Sequence, residues 1–250
     1  MHATIQKPLA EILSFFKKGE KVFVVGCSNC AAKCHSGGEE ETKFMAERLK
    51  ARDVKVTGWA APPNGGSLCK LSIAEKMLNE DHREGAQKAD SFLILSCGQG
   101  IHTVIDATGG APVHPGCDTI FGGETVRDDY ITEYCSLCGE CVVEMTGGLC
   151  PLTLCPKGLL NGPCGGSKDG KCEVDSDQDC GWQLIYERLK ELGKLHTLYN
   201  YIKPKNYGAW SKPRSLDVGL KKSTFKSLAG LRTIDQEEEE IVHEQVVSNA

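Results

Sequence analysis

No stretch of this sequence approaches the roughly 20 consecutive apolar residues that cross a bilayer. Met1 to Lys21 reads as a charged amphipathic helix without an apolar signal core or cleavage site, so neither membrane insertion nor export is expected and the chain reads as cytoplasmic. A Walker loop, H-E-x-x-H, G-x-S-x-G and any acid/base pair fixed by spacing are also missing, which removes the commonest signatures of nucleotide, zinc-protease and serine-hydrolase chemistry. There is no sustained basic surface either. Net charge is −5, and the stretch Tyr199 to Thr233, with eight Lys/Arg against Asp217 alone, is followed by six acidic residues and no Lys/Arg from Ile234 to Ala250. That layout argues against a general nucleic-acid binder. At 250 residues the chain suits one large domain or two small ones, and a complete (β/α)8 barrel with a second domain does not fit.

What the sequence has in excess is cysteine, 14 residues in 250. A disulfide framework needs an oxidising compartment, and nothing at the amino terminus directs the chain to one. Clustered cysteines in a reduced chain point instead to thiolate-bound metal.

The expected fold is α/β, with a mostly parallel, Rossmann-like sheet over residues 1–130. A cysteine-rich, metal-braced irregular domain follows over 131–202, then a C-terminal helical arm and acidic tail over 203–250. Pro8 opens a helix with Leu9, Ile12, Leu13 and Phe16 on its apolar face, and Gly19 ends it. Val22 to Val25, Val54 to Trp59 and Phe92 to Leu95 read as strands. Ser36 and Glu39 form a capping box for a helix expected to bury Phe44, Met45 and Leu49. Helical stretches around Leu71 to Leu78 and Asp81 to Ala89 separate the second and third strands, and this alternation predicts parallel pairing. Trp182, Ile185, Leu189, Leu192 and Leu195 recur at helical spacing and read as a packed face. Pro204 to Pro213 is an expected linker or arm, and Glu237 to Glu240 a solvated tail.

Two groups of cysteines carry the chemistry. Cys27, Cys30 and Cys34 form C-x2-C-x3-C directly after the first buried strand, and Cys97 ends the third. Loops at the carboxyl ends of parallel strands converge on one edge, so these four thiolates can share a site that suits a 4Fe-4S cluster better than zinc. Cys69 is an alternative ligand to Cys34, Cys117 reads as a buried small hydrophobe, and His35, His102 and His114 as loop or core residues. Gly98-Gln99-Gly100 is only a fragment of a dinucleotide fingerprint.

The second group is C-x2-C-x2-C at Cys135, Cys138 and Cys141, the three-ligand run of bacterial ferredoxins. Met145 stands where their fourth cysteine would be. The fourth ligand must therefore come from Cys150, Cys155, Cys164, Cys172 or Cys180, and spacing does not choose among them. The eight cysteines from Cys135 to Cys180 allow two four-thiolate centres, such as one cluster and one zinc.

The run Tyr134-Cys-Ser-Leu-Cys-Gly-Glu-Cys141, the stretch from Thr146 through Cys150-Pro and Cys155-Pro to Cys164-Gly-Gly-Ser167, then Gly170-Lys-Cys-Glu173 and Cys180-Gly-Trp182, resembles the cysteine-rich domain found with methylenetetrahydrofolate reductases. With the Gly26 to Glu39 segment, the chain is similar to their separate iron-sulfur partner subunit, the MetV type of acetogens and related anaerobes. The resemblance implies a flavin-containing, barrel-type catalytic partner that reduces methylene-tetrahydrofolate in one-carbon metabolism. It also implies one or two 4Fe-4S clusters on this chain, with zinc as a further occupant, flavin on the partner only, and ferredoxin or another low-potential carrier as donor. No catalytic residue is expected on this chain. Two other readings stand beside it: a zinc-braced assembly module without redox role, and a relay subunit of another methyl-transfer or reductase complex.

Overall fold

The computed structural model describes residues 1–127, 130–218, 222–227 and 230–235, and the chain divides into two units between Glu133 and Tyr134. The amino-terminal unit begins with β1 (His2–Gln6), α1 (Leu9–Ser14), β2 (Lys21–Gly26), the single turn α2 (Cys30–Lys33), α3 (Glu39–Lys50) and β3 (Lys55–Ala60). It continues through α4 (Leu71–Lys76), a π-helical turn (Met77–Asp81), α5 (Arg83–Gln87), β4 (Ser91–Leu95), α6 (Gly98–Ala107), β5 (Val113–Pro115) and β6 (Cys117–Gly122), and ends in the hairpin β7 (Glu124–Arg127) and β8 (Tyr130–Thr132).

Four of these strands form a parallel sheet in the order β3-β2-β4-β5. The central strands are apolar from Val22 to Val25 and from Phe92 to Leu95, because both faces are covered. Val22, Val24, Leu93 and Leu95 join Ile12, Met45 and Leu49 in one core, while Phe23, Val25, Phe92 and Ile94 join Leu68, Met77, Leu78 and Val104 in the other. That period-two division puts α1 and α3 on one face and α4 and α6 on the other. Each fully buried Leu, Ile or Phe contributes about 1.5–3 kcal/mol.

The structure departs from the sequence expectations at several points. His2–Gln6 is a strand rather than part of a helix: Ala3 and Thr4 are buried, and β1 pairs antiparallel with β6. Together with the β7–β8 hairpin this leaves parallel pairing confined to four strands. The capping box does not form. Ser36 Oγ lies 2.7 Å from Thr4 Oγ1, and α3 starts from Gly38 without a side-chain cap. Phe44 is 60% exposed with the Arg48 guanidinium over its ring, while Met45 and Leu49 are buried as expected. Helix α6 was not anticipated; its Gly98-Gln99-Gly100 start had read only as a broken fingerprint.

In the second unit a 3-10 turn (Val143–Thr146) and the short α7 (Pro151–Leu154) precede α8 (Gly181–Glu191). Trp182, Ile185 and Leu189 are buried with Cys180, and Leu149, Cys155, Leu159 and Leu195 pack against them. Leu192 is 42% exposed, so the helical face is narrower than its spacing suggested. Trp182 Nε1–H donates to the Leu159 carbonyl at 2.9 Å. Further 3-10 turns cover Leu195–Tyr199 and Tyr207–Ala209. The helical arm expected after Lys203 is not present among the described residues. Instead β9 (Ser215–Val218), β10 (Lys222–Ser227) and β11 (Gly230–Asp235) form an antiparallel sheet. The acidic run Glu237 to Glu240 lies outside the described residues. Among the described residues no helix is long and apolar enough to cross a membrane.

Candidate metal centres

The strand order reverses between β2 and β4: the chain leaves β2 for β3 on one side, then returns to β4 on the other. Crevices for ligands open at the carboxyl ends of strands at such a point. Cys27 directly follows β2, and Cys97 follows Leu95-Ser96 and caps α6. Close packing makes this arrangement possible. A Cβ at Gly26 would lie 2.0 Å from Thr42 Oγ1 and one at Gly37 only 1.9 Å from the Leu95 carbonyl oxygen, so neither position admits a side chain. Gly37 in turn accepts a 2.7 Å hydrogen bond from the Cys27 amide.

The loop after β3 closes over this edge. The Leu68 amide donates to Cys27 Sγ at 3.5 Å, and Asn29 Nδ2 donates to Ser67 Oγ at 2.7 Å. Cys69 is the next residue. Burial pushes its thiol above the ordinary range, and neighbouring Cys27, Cys97 and Cys30 add to the effect. Cys34 faces different partners: its Sγ accepts from the Thr4 amide at 3.4 Å, and its thiol reaches the His2 carbonyl at 3.8 Å. Cys117 is buried and donates to the Ser36 carbonyl at 3.4 Å. Burial pushes its thiol up to about 12 against the lowering effect of that bond, with Asp118, Cys34 and Cys97 raising it further.

The histidines are placed as loop and core residues. His35 pairs with Glu41 at 3.7 Å and His102 with Asp106 at 3.2 Å, both with exposed imidazoles. His114 is packed between Phe15 and Phe16 and lies 3.1 Å from Glu20.

In the second unit a local pattern repeats. Amides two residues on donate to sulfur at Cys135 (from Leu137, 3.4 Å), Cys164 (from Gly166, 3.4 Å) and Cys172 (from Val174, 3.5 Å). Gly139 and Gly165, each directly after a cysteine, have φ of 81°, which glycine adopts without strain. Amide donors of this kind stabilise anionic sulfur.

At Cys138 burial raises the thiol pKa, but hydrogen bonding to the Glu140 backbone and the nearby Lys205 ammonium outweigh it, and the net direction is downward. Ser136 also acts on Cys138, although its hydroxyl is buried and falls short of full hydrogen-bond geometry with any group. Cys141 is exposed, Cys150 and Cys155 flank α7, and Cys180 is buried at the start of α8. The sequence offered no cue to Lys205 or Ser136, because neither residue type announces a thiol partner.

All 14 cysteines are free thiols. Among the described residues no three His, Cys, Asp or Glu side chains converge tightly enough to hold a single metal ion. The donor chemistry nevertheless fits thiolate-bound centres: several thiols neighbour one another at the sheet edge, and amides point at sulfur in both units. No curated protein and no solved structure matches the chain. Residues 114–208, less than half of the chain but including all eight cysteines of the second unit, match the family model described as methylene-tetrahydrofolate reductase C terminal, so this protein carries a domain related to methylenetetrahydrofolate reductases.

Proposed function

We propose that this chain is the iron-sulfur electron-transfer subunit of a methylenetetrahydrofolate reductase complex. Its partner would be a flavin-containing barrel that reduces methylene- to methyl-tetrahydrofolate, with ferredoxin or another low-potential carrier as donor in the cytoplasm. The observation that carries this reading is the repeated amide-to-sulfur hydrogen bond inside the family-matched segment, at Cys135, Cys164 and Cys172. Such bonds are of little use to a neutral thiol and stabilise a thiolate that binds metal.

A bound iron-sulfur cluster would supply one-electron transfer over a very wide range of potentials. The protein's part is to hold and tune. Cys135, Cys138 and Cys141, with a fourth thiol from Cys150, Cys155, Cys164, Cys172 or Cys180, would ligate in the second unit, and Lys205 holds positive charge beside Cys138. In the first unit the thiols at the ends of β2 and β4 would ligate. A cubane spreads its thiolates farther apart than a single ion does. The zinc-braced assembly module remains the rival, since Cys-x2-Cys followed by a left-handed glycine also suits tetrahedral zinc in the second unit.

Anaerobic purification followed by iron, zinc and acid-labile sulfide determination separates the two. The electron-transfer reading requires iron and sulfide in near-equal amounts, and rapid mixing with the flavin subunit should then show cluster oxidation and flavin reduction in step. Zinc without sulfide would reject it.

A further inference from the structure

We propose that Cys27, Cys30, Cys69 and Cys97 are the four ligands of the amino-terminal centre, and that Cys34, despite its place in the C-x2-C-x3-C run, is a structural thiol that fastens β1. The inference rests on the iron-sulfur reading above and names the ligands of that same site.

Three observations carry it. First, the loop after β3 is tied directly onto the Cys27 turn. Leu68 donates its amide to Cys27 Sγ, Ser67 accepts from Asn29, and the fully buried Leu68 side chain shares a core with Cys27, Ala31 and Val104. A Cβ at Gly100, in the first turn of α6, would touch Leu68 Cδ2 at 3.0 Å, so the same loop also reaches the helix that Cys97 caps. Consecutive Cα atoms are about 3.8 Å apart, so Cys69, the residue after Leu68, lies close to both.

Second, three other cysteines stand at the edge that this loop covers, Cys27, Cys97 and Cys30. They come from the ends of β2 and β4 and from the start of α2, and with Cys69 they surround the point where the strand order reverses.

Third, Cys34 is already engaged elsewhere. It closes α2, and His35, with φ of 49°, turns the chain away. Its sulfur accepts from the Thr4 amide and its thiol reaches the His2 carbonyl, both in β1. Thr4 is buried, so turning Cys34 toward a metal would leave that amide without its partner, the kind of loss folded proteins avoid.

The test uses the full-length chain produced anaerobically, as wild type, Cys69→Ala and Cys34→Ala, with iron, acid-labile sulfide and the electron paramagnetic resonance of the reduced protein as readouts. Cys69→Ala should lose about half of the iron and sulfide if the second unit keeps its own centre, together with one of the reduced-cluster signals. Cys34→Ala should keep both at wild-type levels.

Iodoacetamide footprinting of the wild type gives an independent readout, because Cys69 is exposed as a free thiol. It should label about tenfold more slowly in the metal-loaded protein than after chelation. Full iron in Cys69→Ala, or equal labelling of Cys69 with and without metal, overturns the assignment. A wild type without iron and sulfide would instead overturn the iron-sulfur reading itself, so the two failures are distinguishable.

Discussion

Lys205, only 7% exposed, brings its ammonium to the Cys138 thiol and donates to the Glu140 carbonyl, joining residues 67 positions apart in sequence. A buried cation beside a thiol favours the thiolate, the form that ligates metal and attacks alkylating agents. Lys205→Met should therefore raise the Cys138 pKa and slow its alkylation at neutral pH in the metal-free chain, while Lys205→Arg keeps most of the effect. The pH profile of Cys138 labelling, followed by mass spectrometry, checks this. An unchanged profile in Lys205→Met would show that the pair is only a packing contact.

Cys117 makes the opposite prediction. Burial raises its thiol from the ordinary 9.0 to about 12, so the folded form keeps its proton where the unfolded chain loses it. A raised folded pKa contributes stability that is fully present below pH 9.0 and is lost as pH rises toward about 12. Urea midpoints of the amino-terminal unit should fall across that window, and Cys117→Ala should flatten the fall while lowering the midpoint at neutral pH. An equal alkaline slope in both proteins would assign the effect to other groups.

Gly37→Ala should be among the most damaging small substitutions in the chain. The new methyl would meet the Leu95 carbonyl at 1.9 Å, a backbone clash that no rotamer change relieves. A cost of at least about 2 kcal/mol is expected. Because Gly37 also accepts from the Cys27 amide, iron content should fall with stability. Chemical denaturation and iron determination on the same preparation would check both, and a variant of wild-type stability would contradict the geometry.

Removal of metal should affect the two units differently. The first has two apolar cores across a covered sheet, whereas the second has four buried residues around α8 and long irregular segments between its cysteines. A core that small does not by itself offset the ordering of so much chain. After anaerobic chelation, limited proteolysis should cut between Tyr134 and Cys180 well before it cuts the parallel sheet. Equal resistance with the metal gone would sink the idea of metal bracing.

The central sheet was legible in the sequence because Val22 to Val25 and Phe92 to Leu95 are uninterrupted apolar runs, and only a strand covered on both faces needs that pattern. His2–Gln6 was not, since a five-residue edge strand beside a helix start carries too little periodicity to separate the two states. Ser36 and Glu39 had the right spacing for a cap, but the Ser36 hydroxyl is held by Thr4, a tertiary contact that spacing does not encode. The candidate site divided in the same way. Strand-end convergence pointed to Cys97 beside Cys27 and offered Cys69 as an alternative ligand, while the approach of Lys205 to Cys138 depends on the chain folding back over dozens of residues.

Strand β4 belongs to both cores at once, with Phe92 and Ile94 on one side and Leu93 and Leu95 on the other, and it is flanked by β2 and β5. Its amides should be among the last in the unit to exchange with solvent deuterium, because opening them requires both layers to separate. Cys97 lies two residues beyond that strand. A sulfur anchored there has little freedom to shift, and in the proposed electron-transfer role such a rigid ligand would keep the reorganisation energy low.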